Sequence, residues 1–519
     1  MQKILIVILL SWQLVLSLPA VGMVETAGYT THDRQVYGPA LLRIYNDTLY
    51  GIHIVWKDDP SRVIYNFKSY VTGRFEWQNG TNVFSERVTL GNLDVNPRNH
   101  CVQVVGNFFN RQYMPVYAED SMPGQGKFKE SIQPAGYKWN VLATTVYGFA
   151  RFFCQREDTL YYRSLWDSRR IGYFGPFPTH NITAAHDTNR IAAIWTATIP
   201  PFAGVMFIRH SRNGGDWWYD TLAISRSIPS EFQNTFLGGY CLYDSQRKIH
   251  IVANTYNGSN LYQVELWHCL KDSPPVWSRI CSVGTSHLQP IGYDALYAGR
   301  PSLGLNPRTG DLFVCWEQFD SINFEPLTGL ARAEIWASRS TDNGRTWGEP
   351  LCLTIPDNTS KRFPCLAPVV NDTLHLSYLV DSIAGFWEMN QGRRTTNAII
   401  YHRVPADLIP VGVAEEKSFK PFEKTAFTIY PNPFKTRTAM RFTLSTKNRV
   451  ILKIYDATGK CLRQFAVLPQ ATNNRPPKTN YCLIWNGQDN NRNPVKPGIY
   501  FCELVNGGRI EIKKFVLVR

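Results

Sequence analysis

The chain has 519 residues, with 55 Lys and Arg against 41 Asp and Glu, a formal charge of +14. Its 15 Trp, 26 Tyr and 28 Phe, with only 18% charged residues, exclude a disordered chain, and its 36 Gly and 32 Pro exclude a coiled coil or long helical bundle. So positive a charge raises nucleic acid or an anionic membrane as partners, and the argument turns on where that charge sits.

The N-terminus reads as a signal peptide over residues 1–22. Lys3 precedes the apolar stretch Ile4 to Leu18, and Ala20-Val21-Gly22 supplies the small residues of a cleavage site. The stretch is too short to span a bilayer, and no later one approaches the length a membrane helix needs. No transmembrane segment is therefore expected in the mature chain. Export permits disulfides. The 11 cysteines, however, show no zinc-ligand spacing, and several sit in strand-like runs, as Cys315 and Cys502 do. They read as buried small hydrophobes, with Cys352–Cys365 and Cys269–Cys281 left open as bridges.

Between Val36 and Pro405 one pattern recurs: an apolar strand, a turn, then a second strand with an aromatic or apolar end. Pro301 to Trp316 and Cys365 to Tyr378 are two copies, and Ala40 to Trp56 and Tyr240 to Ala253 are two more. Taking the second-strand ends as Trp56, Tyr117, Trp195, Ala253, Trp316 and Tyr378 gives units of about 60 residues. Trp77, Trp139, Trp218, Trp277 and Trp347 form a later series. Both series stretch after Trp139, which places an insertion, an extra hairpin, within Gly148 to Phe177. A third strand recurs at Phe207 to Ser211, Ile335 to Ser340 and Ile400 to Arg403. Six four-stranded units make a six-bladed β-propeller over residues 23–405. The last unit lacks a fourth strand, so Glu25 to Gln35 is predicted to pair with Ala398 to Arg403 and close the ring.

Ser340-Thr-Asp-Asn-Gly-Arg-Thr-Trp347 matches the pattern S-x-D-x-G-x-T-W at every specified position. A degenerate copy carries Ser211, Asn213, Gly215 and Trp218, starting 129 residues before Ser340. In such a turn, whose pattern Thr346 completes, Asp342 caps backbone N–H groups, Gly344 supplies a positive φ and Trp347 packs into the blade. These turns resemble the Asp boxes of sialidases and related propellers, where they are structural. The resemblance would call for three arginines on a carboxylate, a Tyr–Glu nucleophile pair and an Asp acid/base. This chain lacks the early aromatic-Arg-Ile-Pro string that carries the first arginine, so no catalytic residue transfers. The candidate ligand-binding residues are Arg300 and Arg362 at first-strand starts, with Glu317 and Asp381 at second-strand ends. Asp58, Asp59, Glu119, Asp120 and Asp320 fall at second-strand ends as well. No HExxH, GxSxG or phosphate-binding loop occurs, and the 11 histidines show no ligand pairing, so neither metal nor cofactor is expected.

Residues 406–426 read as a linker and 427–519 as a small Ig-like β-sandwich. This module is similar to the C-terminal sorting domain (type A) of the type IX secretion system. Tyr430-Pro431-Asn432-Pro433-Phe434, Ile454 to Gly459, Trp485 to Asp489, Gly498-Ile-Tyr500-Phe501 and Lys513 to Arg519 carry the likeness, in the family's order. It implies the type IX secretion machinery as partner and a secreted or surface-attached bacterial protein.

The fold class expected is thus all-β, a six-bladed sialidase-like propeller followed by a sandwich. A binding protein for glycans or proteins is the first functional reading. A sialidase-type glycoside hydrolase is the second, and a structural surface-layer component the third. The charge resolves in the same way. Residues 427–519 hold 16 Lys and Arg against 4 Asp and Glu, a net of +12, and everything before them only +2. The basic character belongs to the terminal module, which removes the case for nucleic acid as the propeller's partner.

Overall fold

The computed structural model of the protein describes residues 21–518, apart from 36–40, 109–113, 165–166, 174–178, 199, 259, 285–289, 413–426, 445–449, 468–478, 491–492 and 507–508. The expected signal peptide up to residue 20, and most of the expected linker, lie outside the described residues.

Alternating and continuous apolar runs set up strands throughout, and the only helices among the described residues are three short 3-10 turns. The first sheet comprises Arg43–Asp47, Gly51–Asp58, Arg62–Ser69 and Thr81–Asn82. The second comprises Val88–Val95, Val102–Phe108, Pro115–Asp120 and Phe128–Ile132. The third comprises Lys138–Thr144, Ala150–Arg156, Thr159–Arg163 and Ser168–Tyr173. The fourth has three strands, Thr179–Ala184, Ile191–Thr196 and Met206–Ser211. The fifth is Asn234–Tyr243, Ile249–Asn257, Asn260–Lys271 and Val276–Gly284. The sixth is Ala298–Leu305, Leu312–Phe324, Ala331–Ser340 and Leu351–Cys352. The seventh is Ser360–Leu366, Thr373–Asp381 and Asn397–Pro405, completed by Met23–Thr30 from the chain start.

The count is seven sheets, not six. The supposed insertion in Gly148 to Phe177 supplies three strands of a sheet of its own, and Trp139 lies in that sheet's first strand. Tyr117 ends no second strand; it lies in the third strand of the second sheet. The second strands begin at Gly51, Val102, Ala150, Ile191, Ile249, Leu312 and Thr373, with separations of 51, 48, 41, 58, 63 and 61 residues. The early units have shorter loops, so a single period near 60 residues merged two of them. The ring closes on the predicted partner strand, but the closing strand is Met23–Thr30, and Thr31 to Gln35 lie beyond it: Met23 pairs with Arg403, Glu25 with Tyr401 and Thr30 with Asn397.

The sheets form a closed ring, because each junction between neighbours is filled by its own apolar cluster. Tyr45 and Val63 pack with Leu93 and Val104 between sheets one and two. Val105 and Tyr117 meet Leu142 and Phe152 between two and three. Phe153 meets Trp195 between three and four. Ile194 and Ile208 meet Cys241 and Ile251 next. Val252 and Leu266 then meet Leu303 and Trp316. Phe313 meets Leu366 and Tyr378 between six and seven. Phe363 and Leu379 return to Leu42 and Trp56 of the first sheet. Strands near the axis are buried on both faces, as Ala298–Leu305 is throughout, whereas the outer strand Phe128–Ile132 is largely exposed. Each first strand is an edge of its own sheet, and closure of the ring protects that edge by burying it at the axis.

The C-terminal module has two sheets. Phe427–Tyr430, Thr438–Leu444 and Thr479–Trp485 form one, and Val450–Asp456, Cys461–Val467, Gly498–Asn506 and Arg509–Leu517 the other. They enclose Phe434, Met440, Phe442, Ile454, Trp485 and Phe515. A parallel bridge between Val283 and Asn480 joins the module to the fifth sheet of the ring, and the Arg441 guanidinium lies 4.2 Å from the Trp336 ring. All eleven cysteines are free thiols, nine of them buried, so neither bridge left open by the sequence forms.

Candidate functional site

First strands all start at one end of the ring, here the upper mouth. Near that start the register slips in several sheets: Gly299 pairs with Glu317 but Ser302 with Cys315, and Arg362 pairs with Leu379 but Cys365 with Ser377. Each slip is a one-residue bulge, and bulges re-aim side chains. The strings Gly-Arg-Pro at 299–301 and Arg-Phe-Pro at 362–364 hold them, with Arg300 at φ 54° and Phe363 at φ 57°.

The bulges turn both arginines onto one carboxylate. Arg300 Nε lies 3.0 Å from Glu317 Oε1, and Arg362 Nε lies 3.0 Å from Oε2 with Nη2 3.1 Å from Oε1. The Phe363 backbone N–H donates to Oε2 at 2.9 Å. Glu317 is wholly buried, and the arginines nearly so. Burial pushes the Glu317 carboxyl up, but Arg362 and then Arg300 overcome it and hold the group below the usual carboxylate range. Burial likewise lowers Arg300 to about 10. The guanidiniums rest on aromatic rings, Arg300 at 4.9 Å from Phe363 and Arg362 at 4.8 Å from Phe319. Three of the four candidate ligand-binding residues thus come together, with both arginines engaged on the one carboxylate.

Asp381, the fourth, is buried, and among the described residues it has no ion pair. Its Oδ1 accepts the Ile383 N–H at 2.9 Å and the Thr395 hydroxyl at 3.2 Å. Burial pushes its carboxyl up to about 7, with Asp33 adding to the rise. Asp33 itself is pushed up by burial to about 6, and its Oδ2 accepts the Trp387 N–H at 2.6 Å. A raised folded pKa means that the folded chain keeps a proton which the unfolded chain releases. That stability is complete below the free carboxyl value and is lost as pH rises through about 7. Asp381→Asn is therefore expected to stabilise the protein by ~1–3 kcal/mol at pH 8 and by nothing at pH 4. Denaturant titrations of the variant and the parent at both pH values check this, and an equal difference at both would contradict it.

The chain start plugs the same mouth, which sequence reasoning missed. Gln35 Nε2 donates to the carbonyls of His32 and Lys57 at 2.9 and 2.8 Å, and its Oε1 accepts the Lys57 N–H at 3.0 Å. His32 is fully buried, with Nδ1 3.0 Å from Glu388 and Nε2 3.0 Å from Lys57 Nζ. The signal was the polar run His-Asp-Arg-Gln directly after the ring-closing strand. Asp58 and Asp59 lie at this rim: Asp58 accepts the Thr31 N–H at 3.0 Å, and Asp59 pairs with Arg394. Glu119 and Asp120 do not, because their strand is the third of its sheet and runs antiparallel to the second. Glu119 instead takes Asn96 and Gln103 near the opposite end, each at 3.3 Å.

The two Asp-box-like turns follow third strands and so face the lower mouth. Asp342 Oδ1 accepts the N–H groups of Arg345 and Thr346 at 3.0 and 2.9 Å, and Oδ2 accepts the Thr346 hydroxyl at 2.7 Å. Ser340 Oγ accepts the Gly344 N–H at 2.9 Å, and Trp347 Nε1 donates to the Gly344 carbonyl at 3.2 Å. In the degenerate copy Ser211 Oγ accepts the Gly215 N–H, and Asn213 takes the Trp217 N–H, both at 2.9 Å. Trp218 is buried, edge-on to Tyr162. Gly344 and Gly215 have φ of 77° and 94°, the left-handed region that suits glycine.

In the terminal module the Tyr430-Pro431-Asn432-Pro433 string ties the closing strand down. Asn432 donates to the Lys514 carbonyl at 3.1 Å and accepts the Val516 N–H at 2.9 Å. Pro431 accepts the Thr438 hydroxyl at 2.6 Å. Gly498 opens the strand that places Tyr500 edge-on to Trp485, 5.1 Å between centroids.

No curated protein matches the chain in sequence. Among solved structures it is similar to an ulvan lyase of polysaccharide lyase family PL25 solved with a glucuronate–rhamnose-3-sulfate unit. The identity is 10% and the TM-score 0.47, over 76% of this chain and 96% of that one. It is also similar to PorZ, an essential surface component of the type IX secretion system of Porphyromonas gingivalis (10%, TM-score 0.28, 92% and 70%). A neuraminidase-like protein of a flat-faced bat influenza virus is a third (11%, TM-score 0.37, 60% and 86%). Residues 428–518 match the family model of the secretion system C-terminal sorting domain. Among the described residues no helix is long and apolar enough to cross a membrane. The basic two-sheet module at residues 428–518 is therefore a type IX C-terminal sorting domain, and the protein that carries it is secreted or attached to the cell surface.

Proposed function

We propose that the protein is a type IX cargo whose ring is a seven-bladed β-propeller acting by binding, with glycans or proteins as ligands. In this reading residues 1–22 are a signal peptide, 23–405 the propeller, 406–426 a linker and 427–519 an Ig-like sorting sandwich. The turns at Ser340 and Ser211 are Asp boxes that brace the blades. The observation carrying the reading is the state of Glu317: fully buried, held by two arginines and a backbone N–H, with its pKa lowered. Such a carboxylate is neither poised as an acid nor free as a base, and its arginines are not open to clamp a substrate acid. The test is a glycan array probed with the mature chain, where specific retention is expected and a blank array argues against glycan binding.

A second reading, glycoside hydrolysis of the sialidase type, draws on Asp33 and Asp381. These two buried carboxyls have pKa values near neutrality, a setting that suits acid–base work. Turnover of a fluorogenic sialoside by the mature chain, abolished by Asp381→Asn, would replace the binding reading with this one.

A further inference from the structure

At the lower mouth, where the first strands finish, the ring encloses a cavity of about 290 Å³. All seven sheets or their turns reach it, from Arg43 and Tyr45 in the first to Val369 beyond the last first strand. Its walls are mostly apolar, through Leu93, Leu142 and Ile182 among others. One charged group stands out on them.

Arg43 is 8% exposed and lines this cavity. Its guanidinium lies 5.2 Å from the Tyr240 ring. Among the described residues no carboxylate lies within ion-pair distance of it, whereas the buried Arg300, Arg332 and Arg362 each have one. The Cys365 thiol is its side-chain partner and Asp94 acts on it from beyond ion-pair distance, so this buried cation lacks a counter-ion in direct contact, a costly state that a bound anion would relieve. The carboxylates that share the cavity wall are engaged elsewhere. Asp94 accepts the N–H groups of Val95 and Thr144 at 2.9 and 2.6 Å. Asp187 pairs with Arg247 at 3.1 Å, and Asp244 with His250 at 3.2 Å.

Three further groups complete the wall. The Tyr243 hydroxyl is buried without a hydrogen-bond partner. His186 stands exposed at the rim, its Nδ1 3.5 Å from the Tyr45 hydroxyl. Tyr45 and Tyr240 offer aromatic surface. The volume is at the small end for ligand sites, which suits a compact molecule rather than a polymer segment.

We infer that this cavity is a binding site for a small organic carboxylate, its charged group on Arg43, a polar group on the Tyr243 hydroxyl and its body against the tyrosine rings. A planar guanidinium takes a carboxylate through two parallel bonds, and the apolar walls strengthen that contact by excluding water. The inference rests on the binding reading and adds a ligand class and a place, at the opposite end of the channel from Glu317.

The test is titration of the mature chain, followed by NMR and thermal shift. The probes are glucuronate, galacturonate and benzoate, against neutral glucose and benzyl alcohol, with inorganic sulfate as a bare anion. At least one carboxylate is expected to bind ten-fold or more tightly than its neutral counterpart and than sulfate. Arg43→Gln should abolish that preference. Tyr243→Phe removes only an unpartnered hydroxyl, so it should fold normally and weaken the same carboxylate about three- to ten-fold. Equal binding of acid and neutral probes, no binding of any probe, or wild-type affinity in Tyr243→Phe would overturn the assignment. Sulfate binding as tightly as the best carboxylate would reduce the site to a simple anion hole and overturn it too. Glycan-array retention without carboxylate binding would sink this inference and leave the binding reading standing.

Discussion

Glu317→Gln is expected to destabilise the protein by about 3–5 kcal/mol, the cost of breaking a buried ion network from one side. Glutamine keeps the shape of the side chain but removes the charge that both arginines need. One of its two polar ends is also a donor, set against a site where Arg300 Nε, Arg362 Nε and Nη2 and the Phe363 N–H all donate. Two guanidiniums then remain buried and face each other. The damage spans two sheets, because Glu317 and Arg300 lie in the sixth while Arg362 and Phe363 lie in the seventh. Denaturant titration of the mature chain at pH 7 measures the loss, and a value under about 1 kcal/mol would contradict the network. The triple variant Arg300→Met, Glu317→Leu, Arg362→Met, which removes every charge together, is expected to cost far less. The network also sets an acid limit. A carboxyl whose pKa is lowered in the folded state adds stability above its unfolded value. That stability is lost as pH falls through the folded one, so this contribution fails only in acid.

Deleting residues 427–519 is expected to abolish arrival at the cell surface and to leave the ring in the periplasm. The matched sorting domain, residues 428–518, supplies the address, and it holds nearly all of the chain's excess positive charge. Each sheet of the ring packs on its two neighbours through its own cluster, so the truncated chain keeps that core. Cell fractionation with an immunoblot for the ring reads the outcome. Normal secretion of the truncated chain would refute the role of the module.

Several features were legible because they are local. The Asp342 turn lies within one octapeptide, and its bonds run between residues at most a few positions apart. The Tyr430 to Phe434 string was legible as a motif, although its reason is distant: Asn432 grips the backbone of Lys514 and Val516. Arg300 and Arg362 were legible as first-strand starts beside prolines. Their shared partner was not, since nothing in either string says that the two bulges converge on Glu317. The number of sheets was misjudged for a related reason. Sequence spacing sees loops as well as strands, and the short loops of the second and third units broke the period.

By itself the sequence determined an all-β chain, a repeated strand pattern, the pairing of the ring's first residues with its last strand, the Asp342 turn and the export module. These follow from side-chain periodicity, turn chemistry and contiguous motifs, all of which act over short distances. Only the tertiary structure decided the seven-fold count, the convergence of two arginines on Glu317 at the upper mouth and the placing of Arg43 in the lower one without a carboxylate in contact. A charge is satisfied or left unsatisfied by groups that closure of the ring brings from other sheets. Arg43 meets Tyr240 from nearly two hundred residues away, and among the described residues no carboxylate comes within ion-pair distance of it.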